Sequence, residues 1–164
     1  MGRVCIGIGS NLGDKEKNII ESIWQLRKKC RIRKISPIYK TEPVGYKNQD
    51  WFLNCALEAE TKLKPDELLV FLKSIEKRLG RRRVIINGPR IIDLDILFYD
   101  GLVLESADLI IPHPRLHDRL FVLEPLNQIC PKLVHPILNK TIKRLASDLE
   151  KTELVEIYES FEPP

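Results

Sequence analysis

Apolar positions along this chain recur with two different periods, and the order in which those periods change predicts the fold. Residues 3–9 (Arg-Val-Cys-Ile-Gly-Ile-Gly) alternate like a strand before Gly-Ser-Asn-Leu-Gly-Asp interrupts them. Asp14 then offers a helix N-cap, and Glu16 places an acid in the first turn. Ile19, Ile23, Leu26 and Cys30 recur at helical spacing, which predicts an amphipathic helix over 14–30. Alternation returns from Ile32 to about Lys40, with Ile32, Lys34 and Ser36 opposite Arg33, Ile35 and Pro37. Thr41-Glu42-Pro43-Val44-Gly45 breaks this second strand and opens a loop to Asp50. From Trp51 to Thr61 a third strand puts Phe52, Asn54, Ala56 and Glu58 on one face and Leu53, Cys55, Leu57 and Ala59 on the other. Pro65, Asp66 and Glu67 start a second helix, Leu68, Leu72, Ile75 and Leu79 form its stripe, and Gly80 ends it.

The next apolar run carries the chain's most informative feature. Ile92, Leu94, Ile96 and Phe98 fall on one face of a predicted strand, and Asp93 and Asp95 fall together on the other. Beyond it, Asp100-Gly101 predicts a hairpin with Leu102-Val103-Leu104 pairing back, and Leu109 to Ile111 a short strand ending at Pro112-His113-Pro114. Looser helical spacing from Leu116 through Phe121, Leu123 and Leu126, a short helix over Thr141 to Leu149, and a last strand with a tail complete the chain. Strand, helix, strand, strand, helix, strand is the split βαβ order. The expected architecture is one α+β domain over 1–164, a ferredoxin-like antiparallel sheet with helices mainly on one face and additional C-terminal helices. The opposite face, carrying Asn54, Asp93 and Asp95, is left for a ligand.

Composition narrows the class without deciding the chemistry. With 43% hydrophobic and 30% charged residues, the 164-residue chain suits a soluble globular domain with an ordinary core. No apolar run approaches the ~20 residues of a membrane span, and the first residues open on a strand pattern rather than a signal core. A net charge of +4 fits an anionic substrate better than a nucleic acid, which calls for a concentrated basic stripe. Cys5, Cys30, Cys55 and Cys130 show no CxxC or zinc spacing, so buried free thiols in a reducing cytoplasm are expected.

Asp93 and Asp95 would have Cα atoms roughly 6.5–7 Å apart on one strand face. Two like charges in an apolar strand call for compensation. Mg²⁺ suits such a pair of hard oxygen donors, completing its shell with water and substrate phosphates. Arg81, Arg82, Arg83 and Arg90 stand just before the strand, either as counter-charge for those phosphates or as partners of the aspartates in a structural ion network. Asn54 in mid-strand marks either a partly exposed face or an amide turned to a ligand. Lys73 and Glu76 have the spacing of an i,i+3 surface pair. His113 between prolines reads as a surface histidine or a phosphate ligand, and no residue stands out as a general base.

Four motifs in order, together with His113, Arg119 and Phe121, carry a resemblance over nearly the whole chain: Gly-Ser-Asn-Leu-Gly at 9–13, Thr-x-Pro-x-Gly at 41–45, Phe-Leu-Asn at 52–54 and Gly-Pro-Arg-x-x-Asp-Leu-Asp at 88–95. The chain resembles the hydroxymethyl-dihydropterin pyrophosphokinases, folate-pathway enzymes that move pyrophosphate from ATP to a pterin alcohol. The resemblance implies a catalytic set of Arg81, Arg90, Asp93 and Asp95, with two Mg²⁺ ions held by the aspartates. It implies a pterin site of Thr41, Pro43, Val44, Gly45, Phe52, Asn54 and Phe121, the two phenylalanines stacking on the ring and the amide reading its edge. It implies an ATP site of Lys73, Glu76, Arg83, Arg90, the Ile96 backbone, His113 and Arg119. Small-molecule substrates, a monomer and no nucleic-acid or membrane partner follow as expectations. The chain departs from the bacterial pattern at Lys73, where a glutamine is usual, and at Asn87, Asp108, Ile110 and Pro114. Those changes point to Lys73 or Arg115 as a substitute nucleotide contact. An RNA-binding module is disfavoured because the two acids share the open face and would repel phosphates unless metals intervene. A pterin aldolase would need a second domain, and a purely structural protein would bury its arginines against the aspartates without a cleft.

Overall fold

Two long strands bear side chains of different character on their two faces, and the rest of the molecule is layered on them. The computed structural model describes residues 1–80, 88–151 and 153–159. β1 (Gly2–Ser10) and β4 (Phe52–Thr61) pair antiparallel along their whole length, from Gly2 opposite Thr61 to Ser10 opposite Leu53. β5 (Asp93–Tyr99) adds to the free side of β1, and β2 (Cys30–Ile35) and β3 (Ile38–Thr41) add to β4. A C-terminal strand (Val155–Glu159) extends β3, giving an antiparallel six-stranded sheet among the described residues. This is the expected split βαβ topology.

The first face is a continuous core. Val4, Ile6 and Ile8 of β1, Leu53, Cys55 and Leu57 of β4, and Leu94 and Ile96 of β5 are buried there. They pack on Ile19, Ile23 and Leu26 of α1 (Lys15–Leu26) and on Leu68, Leu72 and Ile75 of α2 (Pro65–Arg78). Asp14 caps α1 by accepting the Lys17 N–H, and Gly80, at φ +90°, ends the α2 segment in the left-handed conformation that glycine tolerates. On the second face, Cys5, Ala56, Leu97 and Phe98 meet α3 (Leu120–Ile129) and α4 (Ile142–Asp148) in a separate cluster. The additional C-terminal helices therefore cover one end of the face opposite α1 and α2. Gly7, Gly9, Asn54, Asp93 and Asp95 occupy its other end.

Several local expectations are corrected. α1 stops at Leu26, and Cys30 belongs to β2, where it pairs with Thr61; the Lys29 carbonyl accepts from the Thr61 hydroxyl at 2.9 Å. The second strand is two strands, because Pro37 has no N–H to continue the ladder. Ser36, fully buried, bridges the break: its N–H donates to the Ala56 carbonyl (2.8 Å) and its hydroxyl accepts from the Ala56 N–H (2.9 Å). Phe98 does not share a face with Ile96. The register slips between Cys5–Phe98 and Ile6–Ile96, leaving Leu97 as a bulged residue and turning Phe98 to the α3 side. Leu102-Val103-Leu104 does not pair back on β5, since Asp100 exchanges hydrogen bonds with the Arg3 backbone and the chain then leaves the sheet. β6 (Leu104–Glu105) instead forms a local hairpin with β7 (Ile110–Ile111), closed by Ser106 on Leu109. The residues between β7 and α3 include a short 3₁₀ turn, Leu116–Asp118.

All four cysteines are buried and free, as expected. Cys5 and Cys130 gather around Glu58, which also takes the Arg3 guanidinium (Nε 3.0 Å). Burial raises the Glu58 pKa, but hydrogen bonds from Cys130 and Arg3 outweigh it and hold the carboxyl below its ordinary value. No described helix is long and apolar enough to cross a membrane.

The Ser36 bridge is testable. Ser36→Ala leaves the Ala56 N–H without an acceptor inside the sheet, which costs about 1–3 kcal/mol. Urea unfolding should show a lower midpoint with an unchanged slope; an unaltered midpoint would show that the bridge contributes nothing.

Candidate active site

The strand register builds the floor of a cleft of about 570 Å³. Gly9 lies opposite Asp93 on one side and Asn54 on the other; Gly7 lies opposite Asp95 and Ala56. Residues directly opposed in an antiparallel ladder point to the same face. Two rows result, Asp93-Gly9-Asn54 and Asp95-Gly7-Ala56, in which the central position has no side chain. The glycines thus leave main chain as the floor between the carboxylates and the amide. At Gly9 the space is already taken from one side: a Cβ there would come within 2.5 Å of Asn54 Oδ1.

Asn54 is buried, not half-exposed, and its Nδ2 donates to Thr41 Oγ1 at 2.6 Å. This bond ties the end of β3 to β4 and fixes which way the amide faces. Thr41, Val44, Phe52, Asn54 and Phe121 all line the cleft, Phe52 from the start of β4 and Phe121 from the first turn of α3. Pro43 and Gly45 are not among the lining residues. Pro43 is buried beneath the loop and takes the Lys47 ammonium on its carbonyl (2.6 Å).

Lys73, Glu76, Arg90, Ile96, His113 and Arg119 also line the cleft, the Arg119 guanidinium lying 5.6 Å from the Phe121 ring centroid. Glu76 is not part of a surface pair with Lys73 in the way its spacing suggested. It is buried at 7% exposure, and its Oε2 accepts the Leu94 N–H (2.9 Å), closing the outer edge of β5 between the two aspartates. Arg90 is buried too, donating to the Gly88 and Pro89 carbonyls at 2.8 and 3.1 Å. Asn11 holds that segment in place. Its Oδ1 accepts the Arg90 N–H (2.8 Å), its N–H donates to the Arg90 carbonyl (3.0 Å), and its Nδ2 reaches Gln49 and the Asp50 carbonyl. The expected contributions of Arg81 and Arg83, and the departure at Asn87, lie outside the described residues. The other departures, Lys73, Asp108, Ile110 and Pro114, all line the cleft, as does Arg115.

Gly7, Gly9 and Asn11 were not singled out from the sequence. Two glycines spaced by one residue inside a strand are a legible signal of close backbone approach. The linking role of Asn11 had no such signal beyond its place in the Gly-Ser-Asn-Leu-Gly motif.

The electrostatics of the cleft are mixed in sign. Burial lowers the Arg119 pKa, with a further push from Arg115, while Asp95 and Asp93 pull it back up. Burial also pushes His113 down to about 4, helped by Arg119 and opposed by Asp93. His113 is accordingly neutral at pH 7. With Nδ1 facing the Arg115 N–H at 3.4 Å, Nε2 carries the proton and is the donor. Two carboxylates on one strand face, beside cations and over a side-chain-free floor, match a hard divalent cation and an anionic ligand. They do not match a soft metal.

The His113 shift has a definite sign. The unfolded chain, with an ordinary histidine near 6.5, binds more protons than the folded chain between that value and about 4. Stability should therefore fall as pH drops from about 6.5 towards 4, by on the order of 1–3 kcal/mol, with no contribution above that range. Comparing urea midpoints across this range for wild type and His113→Gln checks it: the variant should show a shallower pH dependence.

With this geometry in hand, comparison with known proteins is informative. The family model for 7,8-dihydro-6-hydroxymethylpterin-pyrophosphokinase matches residues 5–131. The chain is 47% identical over 146 residues to the folic acid synthesis protein FOL1 of Dictyostelium discoideum, covering 89% of this chain and 22% of that protein. It thus spans about a fifth of the length of the first curated relatives it matches. Against the 2-amino-4-hydroxy-6-hydroxymethyldihydropteridine pyrophosphokinase of Aquifex aeolicus it is 43% identical over 143 residues, covering 87% of this chain and 89% of that one. A crystal structure of wild-type Plasmodium falciparum HPPK-DHPS shares the fold at a TM-score of 0.69 and 19% identity, over 90% of this chain and 43% of that chain. The motifs at 9–13, 41–45, 52–54 and 88–95 fall inside the matched residues, and the chain belongs to the 7,8-dihydro-6-hydroxymethylpterin-pyrophosphokinase family.

Proposed function

We propose that this chain transfers the terminal diphosphoryl group of ATP to the hydroxymethyl oxygen of 6-hydroxymethyl-7,8-dihydropterin, releasing AMP, as a step of folate synthesis. The observation that carries the reading is the row Asp93-Gly9-Asn54, which sets a carboxylate and an oriented amide on one face across a bare glycine. Family membership supplies the substrate class.

Each wall has a task in this reading. Asn54, held by Thr41, offers donor and acceptor to the pterin edge, while Phe52 and Phe121 take the ring faces and 41–45 closes the side. Arg90, His113 and Arg119 hold the triphosphate, with Lys73 or Arg115 replacing the contact usually made by a glutamine. Neutral His113 donates from Nε2 to a phosphate oxygen. Glu76 steadies the β5 edge from which both aspartates project, and the Ile96 backbone meets the adenine. Arg81 and Arg83 join the triphosphate in the same proposal.

Asp93 and Asp95 would hold Mg²⁺, and two ions fit the charge of a triphosphate better than one. When bound, Mg²⁺ neutralises phosphate charge and aligns the reacting oxygens. The remaining work of this chain is positioning. The pterin hydroxyl is aimed at the β-phosphorus; its oxygen forms the new bond, the bond from the β-phosphorus to the AMP oxygen breaks, and the hydroxyl proton leaves to solvent. Bringing both substrates into line over one rigid floor supplies much of the rate in such a transfer. The same reading takes 1–164 as one domain acting as a cytoplasmic monomer, on small molecules and without a nucleic-acid or membrane partner.

The test is AMP release from ATP in the presence and absence of the hydroxymethyl pterin with Mg²⁺. Release without pterin dependence would overturn the assignment. Asp95→Ala should lower kcat at saturating Mg²⁺ by a factor of about 10³ or more, on the scale of losing a key electrostatic group; near wild-type turnover would remove the metal role. Gly9→Ala should displace the Asn54 amide and raise the pterin KM about tenfold, roughly 1.4 kcal/mol, while the ATP KM moves little. Equal shifts in both constants would refute the placing of Asn54 against the pterin.

A further inference from the structure

The family match ends at residue 131, yet a segment after it is hydrogen-bonded to residues at and beside the cleft lining. α3 begins at Leu120 with Arg119 at its N-cap position, no side-chain cap and no acid in its first turn. The first N–H groups of a helix need acceptors from elsewhere. Here Glu153, thirty-three positions along the chain, accepts the Leu120 N–H on Oε1 at 3.1 Å. A carboxylate at that end also suits the helix dipole. Leu120 sits between Arg119 and Phe121, both of which line the cleft.

The next residue grips the opposite wall. Leu154 accepts the Glu42 N–H (3.0 Å) and returns its own N–H to Glu42 Oε2 (3.2 Å). Val155 then pairs with Thr41, the partner of Asn54, as the C-terminal strand joins β3. Three consecutive residues therefore touch the start of α3 on one side and the Thr41–Glu42 corner on the other.

We infer that residues 153–155 are a strap that sets the separation of the two cleft walls, with Glu153 the positioning residue that orients Phe121. This deepens the proposed reaction and rests on that reading for its substrate. A flat ring held between Phe121 and the Thr41–Asn54 wall feels the wall separation directly; ATP, bound along one side, feels it less.

The test uses the full chain with Glu153→Ala and Glu153→Gln, the glutamine retaining an oxygen that accepts from Leu120. Glu153→Ala should raise the pterin KM about tenfold and the ATP KM less than threefold, and Glu153→Gln should recover most of the pterin loss. A second measurement is independent of activity. Amide hydrogen exchange at Glu42, on the far wall, should accelerate about tenfold in Glu153→Ala along with Leu120. A pterin KM within twofold of wild type, or equal shifts for both substrates, would overturn the strap; so would faster exchange confined to Leu120. An inactive wild-type chain would instead overturn the proposed reaction, and the strap would then stand or fall on the exchange at Glu42.

Discussion

The antiparallel register of β1 with β4 and β5 is the constraint on which the rest depends. Side chains alternate with a period of two, so a slip of one residue would send Asp93 and Asp95 into the core beneath α1 and α2, and bring Leu94 out to the cleft. That exchange would bury two carboxylates among isoleucines and leucines without partners and expose a large apolar side chain. The hydrophobic pattern that folds the sheet is thus the same pattern that aims the site. Stability and chemistry are set by one choice of pairing.

Most of that pairing was legible in the chain. The alternation in 3–9, 51–61 and 92–96 is unambiguous because one face is apolar throughout, and the helix stripes at Ile19, Ile23 and Leu26 or Leu68, Leu72 and Ile75 are equally regular. What could not be read was where the period breaks. Phe98 changes face because Leu97 bulges, and nothing local marks a bulge in Ile-Leu-Phe-Tyr, where every residue suits a strand. Leu102-Val103-Leu104 has strand composition, but its partner is chosen by the short closure to Ile110 and Ile111. Cys30 fits a helix stripe and a strand equally well, and only the register with Thr61 decides between them.

The site divides in a similar way. Asp93 and Asp95 announced themselves because charge in an apolar strand is costly; Asn54 did so more weakly, as a polar residue out of place. Glu76 was concealed by its spacing to Lys73, which on an isolated helix has an adequate surface explanation. Its burial follows from the approach of β5 to α2, a tertiary fact. Phe121 and Arg119 were recognisable only through the resemblance, since α3 approaches the sheet from its second face and no periodicity in β1 or β4 foretells that. The resemblance also named Pro43 and Gly45, which support the loop but do not line the cleft.

A floor made of main chain has an evolutionary corollary. Gly7 and Gly9 present only backbone to the cleft, so the base of the site offers little to vary and little to drift. Side chains that can be exchanged stand at the rim, where Lys73, Asp108, Ile110, Pro114 and Arg115 lie on a helix surface, a short hairpin and its following loop. Such positions exchange without disturbing the ladder beneath them. A lineage can therefore retune how it grips one substrate while the seat of the other is inherited unchanged, and an inhibitor that leans on the floor would meet fewer routes of escape than one that leans on the rim.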